Sequence, residues 1–279
     1  MSKKIGVIGA GVMGKGVAQR FAKFGYEVIL LDLNEELLKL AKAEIVRNLK
    51  MLNMFEKNFE VEEISNLIST TVAYADLAEV DYIVENVPEV QEVKEKVYFE
   101  LEKYCKEDCI YMANTSCIPI TLIGSFTNRA SKIIGVHFMN PVPIKNFSEV
   151  IRGIYTSEET IVNTKELLNS INISVEIIND SAGFVSNRLS HLFMNEAAFL
   201  VYEGIATAEQ IDNIFKQGFG HKMGPLETAD LIGIDTVLDS LKILYDQYED
   251  SKFKACPLIK RMVEARMLGR KNGKGFYTY

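Results

Sequence analysis

What this chain lacks narrows its possibilities before any motif is read. It has no uncharged apolar run long enough to cross a bilayer and no basic-then-apolar leader at its start, so a cytoplasmic protein with no membrane partner is expected. Its three histidines, His137, His191 and His221, are far apart, and its four cysteines form no C-x-x-C pair. No metal is therefore expected, and the cysteines read as reduced thiols. The net charge of −7, with acids and bases interspersed, excludes the basic surface that nucleic acid requires. No internal repeat and no low-complexity linker interrupts the 279 residues, and 48% of them are apolar, enough for one large or two smaller globular domains.

What is present begins at residue 4. Lys4-Ile-Gly-Val-Ile-Gly-Ala-Gly-Val-Met-Gly-Lys-Gly places an apolar strand, a G-x-G-x-x-G turn and a helix start in that order. Gly9 permits the tight turn, Gly11 lets a pyrophosphate approach bare backbone, and Gly14 lets the helix pack close to the sheet. The N–H groups of the first turn, at Val12, Met13 and Gly14, then point at the phosphates. A second apolar strand, Val28-Ile-Leu-Leu, ends in Asp32, eighteen residues past Gly14, near the spacing at which a carboxylate meets the adenosine ribose hydroxyls. Leu33 and Asn34 follow, with no Arg to neutralise a 2′-phosphate, so NAD is favoured over NADP. A plain glycine turn is the alternative for the glycines alone; strand, turn, helix, strand and acid together favour a dinucleotide site.

Apolar strand candidates then alternate with helical patterns. Helices are expected over 12–24, 35–55, 61–67, 91–104 and 157–171, and strands over 69–73, 81–85, 109–113, 132–136, 149–154 and 174–178. Such alternation indicates a doubly wound, mostly parallel sheet. Past Asp180 strand patterns vanish and helices are expected over 185–202, 208–216, 225–248 and 258–265. The fold class is thus α/β, an N-terminal Rossmann domain over 1–182 followed by a smaller all-α domain over 183–279, with the active site expected in the cleft between them.

At His137 the sequence meets a family. Gly135-Val-His-Phe-Met-Asn-Pro-Val-Pro, with Asn114-Thr-Ser upstream, is followed by Ser148-Glu-Val-Ile, Gly183-Phe-Val-Ser-Asn-Arg, His221-Lys-Met-Gly-Pro-Leu and the terminal Gly269-Arg-Lys-Asn-Gly-Lys-Gly-Phe-Tyr. In that order these motifs resemble the L-3-hydroxyacyl-CoA dehydrogenases over essentially the whole chain. The resemblance implies NAD-dependent interconversion of a 3-hydroxyacyl thioester and its 3-oxo counterpart, with His137 and Glu149 as a catalytic pair and Ser116 and Asn187 as substrate-contacting groups. It also implies a homodimer through the helical domain. Imidazole suits proton removal near neutrality, and a carboxylate twelve residues on can fix its tautomer. Taken alone, His137 after an apolar strand reads as a structural histidine, Glu149 as a strand-start acid, Ser116 as a turn or helix cap, and Asn187 as an N-terminal helix residue.

Glu85, Asn86 and Glu89 follow a strand and read either as a border of the nicotinamide end or as a solvated strand end. Glu89, Lys94 and Asn114 are taken as cofactor-binding, with Asn114 also ordering nearby loops. His191, one helical turn past Asn187, reads either as facing the cleft or as a surface residue, and surface exposure is the favoured expectation. Met51, Met54 and Phe55 read as apolar contacts of the second helix. Basic groups for the phosphates of CoA are sparse there, Lys50 and Lys57 being the main candidates. The motifs also resemble a branch that acts on small hydroxyacyl groups carried by an acyl carrier protein, so CoA and carrier-protein thioesters both stay open. Free-acid β-hydroxyacid dehydrogenases are disfavoured, because no glycine-rich helix with a matching Lys is present. A non-enzymatic NAD-binding protein remains as the reading from another class.

Overall fold

The structure, a computed structural model, describes residues 3–56 and 58–279. Residues up to Ser181 form one compact unit and those from Ala182 onward another. In the first unit the strands are β1 (Lys4–Ile8), β2 (Glu27–Leu31), β3 (Ile68–Thr71), β4 (Tyr82–Glu85), β5 (Ile110–Ala113), β6 (Ile133–Phe138), β7 (Phe147–Arg152) and β8 (Ser174–Asn179). They make one sheet of order β3-β2-β1-β4-β5-β6-β7-β8. The first six are parallel, β7 runs antiparallel to β6, and β8 runs parallel to β7. The order reverses between β1 and β4, which opens a crevice beyond their carboxyl ends, the place where open α/β sheets take their ligands.

Strands buried on both faces read as continuous apolar runs, and Ile5, Val7, Ile8, Leu30, Leu31, Ile83 and Val84 are all buried. The helices of this unit are α1 (Val12–Lys23), α2 (Glu35–Glu56), α3 (Val61–Asn66), α4 (Gln91–Tyr104), α5 (Ile120–Gly124) and α6 (Glu158–Ser170). Helix α1 packs Val17, Ala18 and Phe21 into the same core as Val84, Val136 and Val150. Helix α2 buries Leu38, Ala41, Ile45 and Leu49, a stripe at three- and four-residue spacing. Met51, Met54 and Phe55 lie off that stripe and are exposed, not packed as the apolar pattern suggested. Lys57 lies outside the described residues.

Two strand ends differ from expectation, and the difference matters. His137 lies within β6 instead of just past it, and Glu149 is the third residue of β7 instead of the first. Antiparallel pairing lengthens both strands, so residues expected at their ends become ladder partners.

The second unit contains α7 (Ser186–Tyr202), α8 (Ala208–Asn213), α9 (Pro225–Ile232), α10 (Ile234–Tyr248) and α11 (Pro257–Glu264) around a core that includes Met194, Ala198, Leu226, Val237, Leu241 and Ile259. The helix expected over 225–248 is broken at Gly233, whose φ of 108° L residues rarely adopt. The one expected over 208–216 runs from α8 into a π-turn, Ile214–Gly218. Among the described residues no helix is long and apolar enough to cross a membrane.

Candidate functional site

The glycine turn shows which of its spaces serve packing and which serve a ligand. At Gly9, φ is +91° and an added Cβ would sit 2.9 Å from the Asn86 carbonyl oxygen; at Gly14 it would sit 1.8 Å from the Gly9 carbonyl oxygen. Both glycines are therefore demanded by the chain itself. Around Gly11 nothing lies within 4 Å, so its missing side chain leaves bare backbone facing open space, which fits a pyrophosphate. Gly11 is also the N-cap of α1 and has no capping side chain, which leaves the helix start to an anionic ligand. Val12 is exposed there and Met13 half-buried. Asp32, past the end of β2, accepts the Ala10 N–H at 2.8 Å through Oδ2, so its carboxylate is fixed against the same turn.

On the far side of the switch point, β6 and β7 set His137 directly opposite Glu149. Cross-strand partners share one face, and here Nδ1 of His137 is 2.9 Å from Oε2 of Glu149. Glu149 is only 4% exposed. A carboxylate accepts, so with Glu149 ionised it is Nδ1–H of His137 that donates across this pair. Asn114, just past β5, spans the strand ends beside this pair. Its Nδ2 donates to Asn86 Oδ1 at 2.7 Å, and its Oδ1 accepts the N–H of Phe138 at 3.3 Å.

Ser116 sits on the loop between β5 and α5, half-buried between buried Thr115 and buried Cys117. That loop is held by Glu89. Oε1 of Glu89 accepts the hydroxyl of Thr115 and the backbone N–H groups of Ser116, Cys117 and Ile118 at 3.0, 2.9 and 3.1 Å. Oε2 lies 3.9 Å from the Lys94 ammonium. Lys94 is fully buried and ion-paired with Glu85 at 2.8 and 2.9 Å. Glu85 is buried as well, so the solvated-strand-end reading of this acid fails. Burial pushes its carboxyl above the ordinary range, against the opposing pull of Lys94 and the Val87 N–H. The helix start after Ser116 is capped from a distance, with Asp180 accepting the N–H groups of Ile120 and Thr121 at 2.9 and 2.7 Å. Sequence reading missed this cap and the link from Glu89 to the loop, because neither partner is local.

In the second unit Asn187 is half-buried in the first turn of α7, and His191 one turn on is buried. The expected surface position of His191 is wrong. Its Nδ1 is 2.8 Å from the Asn187 carbonyl oxygen, so the ring closes over the helix instead of leaving it. Gly183 and Phe184, with φ of 74° and 53°, turn the chain into α7. The terminal glycine motif has a packing role: a Cβ at Gly275 would lie 2.0 Å from a carboxylate oxygen of Asp230. Asp230 in turn accepts the N–H groups of Phe276 and Tyr277, each at 2.9 Å. All four cysteines are buried and none is in a disulfide, and among the described residues no three His, Cys, Asp or Glu side chains could hold a metal ion.

Comparison with known proteins joins these features to a family. Residues 4–181 match the family described as 3-hydroxyacyl-CoA dehydrogenase, NAD binding domain, and residues 183–279 match the 3-hydroxyacyl-CoA dehydrogenase C-terminal domain. A 3-hydroxybutyryl-CoA dehydrogenase of Clostridioides difficile is 41% identical over 278 residues, covering 99% of each chain. One from Bradyrhizobium diazoefficiens is 40% identical over 281 residues, covering 99% of this chain and 95% of that one. The crystal structure of a (S)-3-hydroxybutyryl-CoA dehydrogenase from Ralstonia eutropha superposes with a TM-score of 0.95 at 36% identity, covering 100% of this chain and 99% of that one. A glycine cradle at the sheet's switch point, a cross-strand His–Glu pair and both family domains in order make this chain a member of the 3-hydroxyacyl-CoA dehydrogenase family, with an NAD-binding N-terminal unit.

Proposed function

We propose that this chain oxidises the C3 hydroxyl of a short-chain 3-hydroxyacyl-CoA, of the 3-hydroxybutyryl-CoA type, and reduces the 3-oxo thioester in the reverse direction. The observation that carries this reading is the 2.9 Å contact between His137 Nδ1 and Glu149. Hydride leaves C3 only as the hydroxyl proton is removed, and Nε2 of a ring held through Nδ1 is the acceptor for that proton. Glu149 keeps the ring in that tautomer and stabilises the imidazolium that results. Ser116 donates a hydrogen bond to the C3 oxygen as its charge changes; the family likeness gives Asn187 the role of a substrate contact. NAD, when bound, supplies the hydride acceptor. Gly9, Gly11, Val12, Met13 and Gly14 cradle its pyrophosphate, and Asp32 meets the adenosine ribose. Glu89 and Asn114 border the nicotinamide end, and Lys94 sits behind Glu89 as its counter-charge.

The names of the relatives favour CoA as the carrier, with Lys50 as a phosphate contact. An NADH absorbance assay comparing acetoacetyl-CoA with the same acyl group on acyl carrier protein tests it. Higher kcat/KM on the CoA ester is expected; preference for the carrier protein overturns the CoA reading and leaves the chemistry intact. We also propose a homodimer through the helical unit, supported by an apolar groove of about 720 Å³ lined by Val201, Ile205, Leu258, Met262, Met267 and Phe276. Light scattering that gives a monomer at micromolar concentration refutes it.

A further inference from the structure

The geometry points to Glu89 as a positioning residue for Ser116, clamping the loop that carries it through three consecutive backbone N–H groups. The inference rests on the proposed contact between Ser116 and substrate. Three successive peptide N–H groups and one hydroxyl converge on a single carboxylate oxygen, Oε1 of Glu89, so one side chain sets the orientation of residues 115–118 together. Its other oxygen faces Lys94 at 3.9 Å. Lys94 cannot turn away, because it is fully buried and held by both oxygens of Glu85. The Tyr98 hydroxyl and the Val87 N–H hold Glu85 in turn, at 3.4 and 2.7 Å. A line of alternating charge therefore runs from the buried end of β4 to the loop after β5. Within that loop Thr115, Cys117 and Ile118 are buried and Ser116 is half-buried, so the clamp fixes the backbone that carries the Ser116 side chain.

A charge-assisted acceptor is stronger than a neutral one. An amide in place of this carboxylate also turns either its oxygen or its NH2 group the wrong way, because loop and ammonium both call for an acceptor. Glu89→Gln retains the size of the side chain and weakens the clamp. The decisive experiment measures kcat, acyl-thioester KM and NADH Kd for Glu89→Gln, Ser116→Ala and the double variant. Amide hydrogen exchange of residues 115–118 is followed in the same proteins, with circular dichroism and Tm as the check on folding.

For Glu89→Gln, kcat is expected to fall about 10-fold and exchange at residues 116–118 to become at least about 10-fold faster, while NADH Kd weakens by no more than about 3-fold, because the proposed nicotinamide border is shared with Asn114 and the rest of the cofactor is held by the glycine turn and Asp32. In the Ser116→Ala background the same change is expected to cost less than about 2-fold in kcat, since there is no hydroxyl left to misplace. Full additivity, or a loss of NADH affinity as large as the loss of kcat, overturns the positioning role. Unchanged exchange in Glu89→Gln overturns the clamp. Faster exchange combined with wild-type turnover by Ser116→Ala overturns instead the substrate contact assigned to Ser116. If Glu89→Gln does not fold, Thr115→Val and Glu89→Asp carry the same comparison, with an intermediate loss expected from each and wild-type kcat in both counting against the proposal.

Discussion

Both units of this protein use carboxylates to hold irregular chain, and they do so to different ends. In the helical unit Asp212 and Asp230 are fully buried and their bonds go to the fold. Asp212 accepts the N–H groups that start α9 and the hydroxyl of Tyr277; Asp230 accepts the terminal strap. Burial and then Asp212 push the Tyr277 phenol upward, so it stays protonated and remains a donor. In the nucleotide unit Asp32, Glu89 and Asp180 make the same kind of bond to turns that carry proposed site groups. The bond chemistry is shared; what differs is whether the segment it stiffens carries packed side chains or a side chain proposed to meet a ligand. Substitutions in the first unit should therefore register mainly in kinetics, and those in the second mainly in stability.

The largest kinetic effect expected under that rule belongs to His137. His137→Gln should lower kcat by roughly 10²–10⁴-fold, about 3–5 kcal/mol of barrier, while NADH affinity measured by fluorescence titration stays near wild type. Glu149→Gln should slow turnover less, and the double variant should be little worse than His137→Gln, because the carboxylate acts through the ring. Additive losses would mean that the two residues do not form one unit.

On the other side of the comparison, Asp230→Ala strips two backbone N–H groups and the Tyr279 hydroxyl of their acceptor. At about 1–3 kcal/mol for each of the two backbone N–H groups left unpaired, Tm should fall by roughly 5–10 °C. In steady-state assays at 25 °C kcat should stay within about 2-fold. A kinetic loss without a thermal one would break the division between the units.

Asp32 sharpens the comparison, since its bond to the Ala10 N–H is structural and its proposed ribose contact is not. Asp32→Ser with Leu33→Arg should raise NADP over NAD in kcat/KM by roughly 10-fold, by removing a like charge and supplying a partner for the 2′-phosphate. A wild-type enzyme that already uses both equally would defeat this reading.

The smallest effect concerns Asp81, an acid of the nucleotide unit that serves only the fold. It accepts the Lys4 N–H at 2.7 Å and pairs with Lys106 at 2.6 Å. Burial raises its pKa, but Lys106 and the Lys4 N–H outweigh burial and leave it below the ordinary value. A depressed folded-state pKa contributes stability above the unfolded value and loses it as pH falls through the folded one. Asp81→Asn should therefore melt about 1–2 °C below wild type at pH 7, with the gap closing in thermal scans as pH falls below the ordinary aspartate pKa of about 3.9. A gap that persists at acid pH would assign the effect to packing instead of charge.

Much of the nucleotide unit was legible because its signals are local. The glycine turn, the acid after β2 and the alternation of strand and helix each occupy a few consecutive residues, where backbone sterics and side-chain period act. His137 and Glu149 were legible as a pair through family likeness, yet their placement as ladder partners was not, since register depends on strands meeting in the sheet. The burial of His191 and the exposure of Met54 and Phe55 were hidden for the same reason, since an apolar or polar residue does not announce which side of its helix will be covered; the break at Gly233 rests instead on a left-handed φ that one glycine in an apolar helical pattern does not reveal.

Sequence by itself determined the order of the strands, the glycine turn and the residue types here proposed for proton transfer, because each follows from short-range geometry and intrinsic chemistry. Tertiary structure decided which carboxylate meets which N–H. Glu89 reaches Ser116, Cys117 and Ile118 across 27 to 29 residues, and Asp180 reaches Ile120 across 60. Those contacts exist only once a parallel sheet has brought the ends of its strands together, since a buried N–H must find an acceptor wherever the fold has placed one.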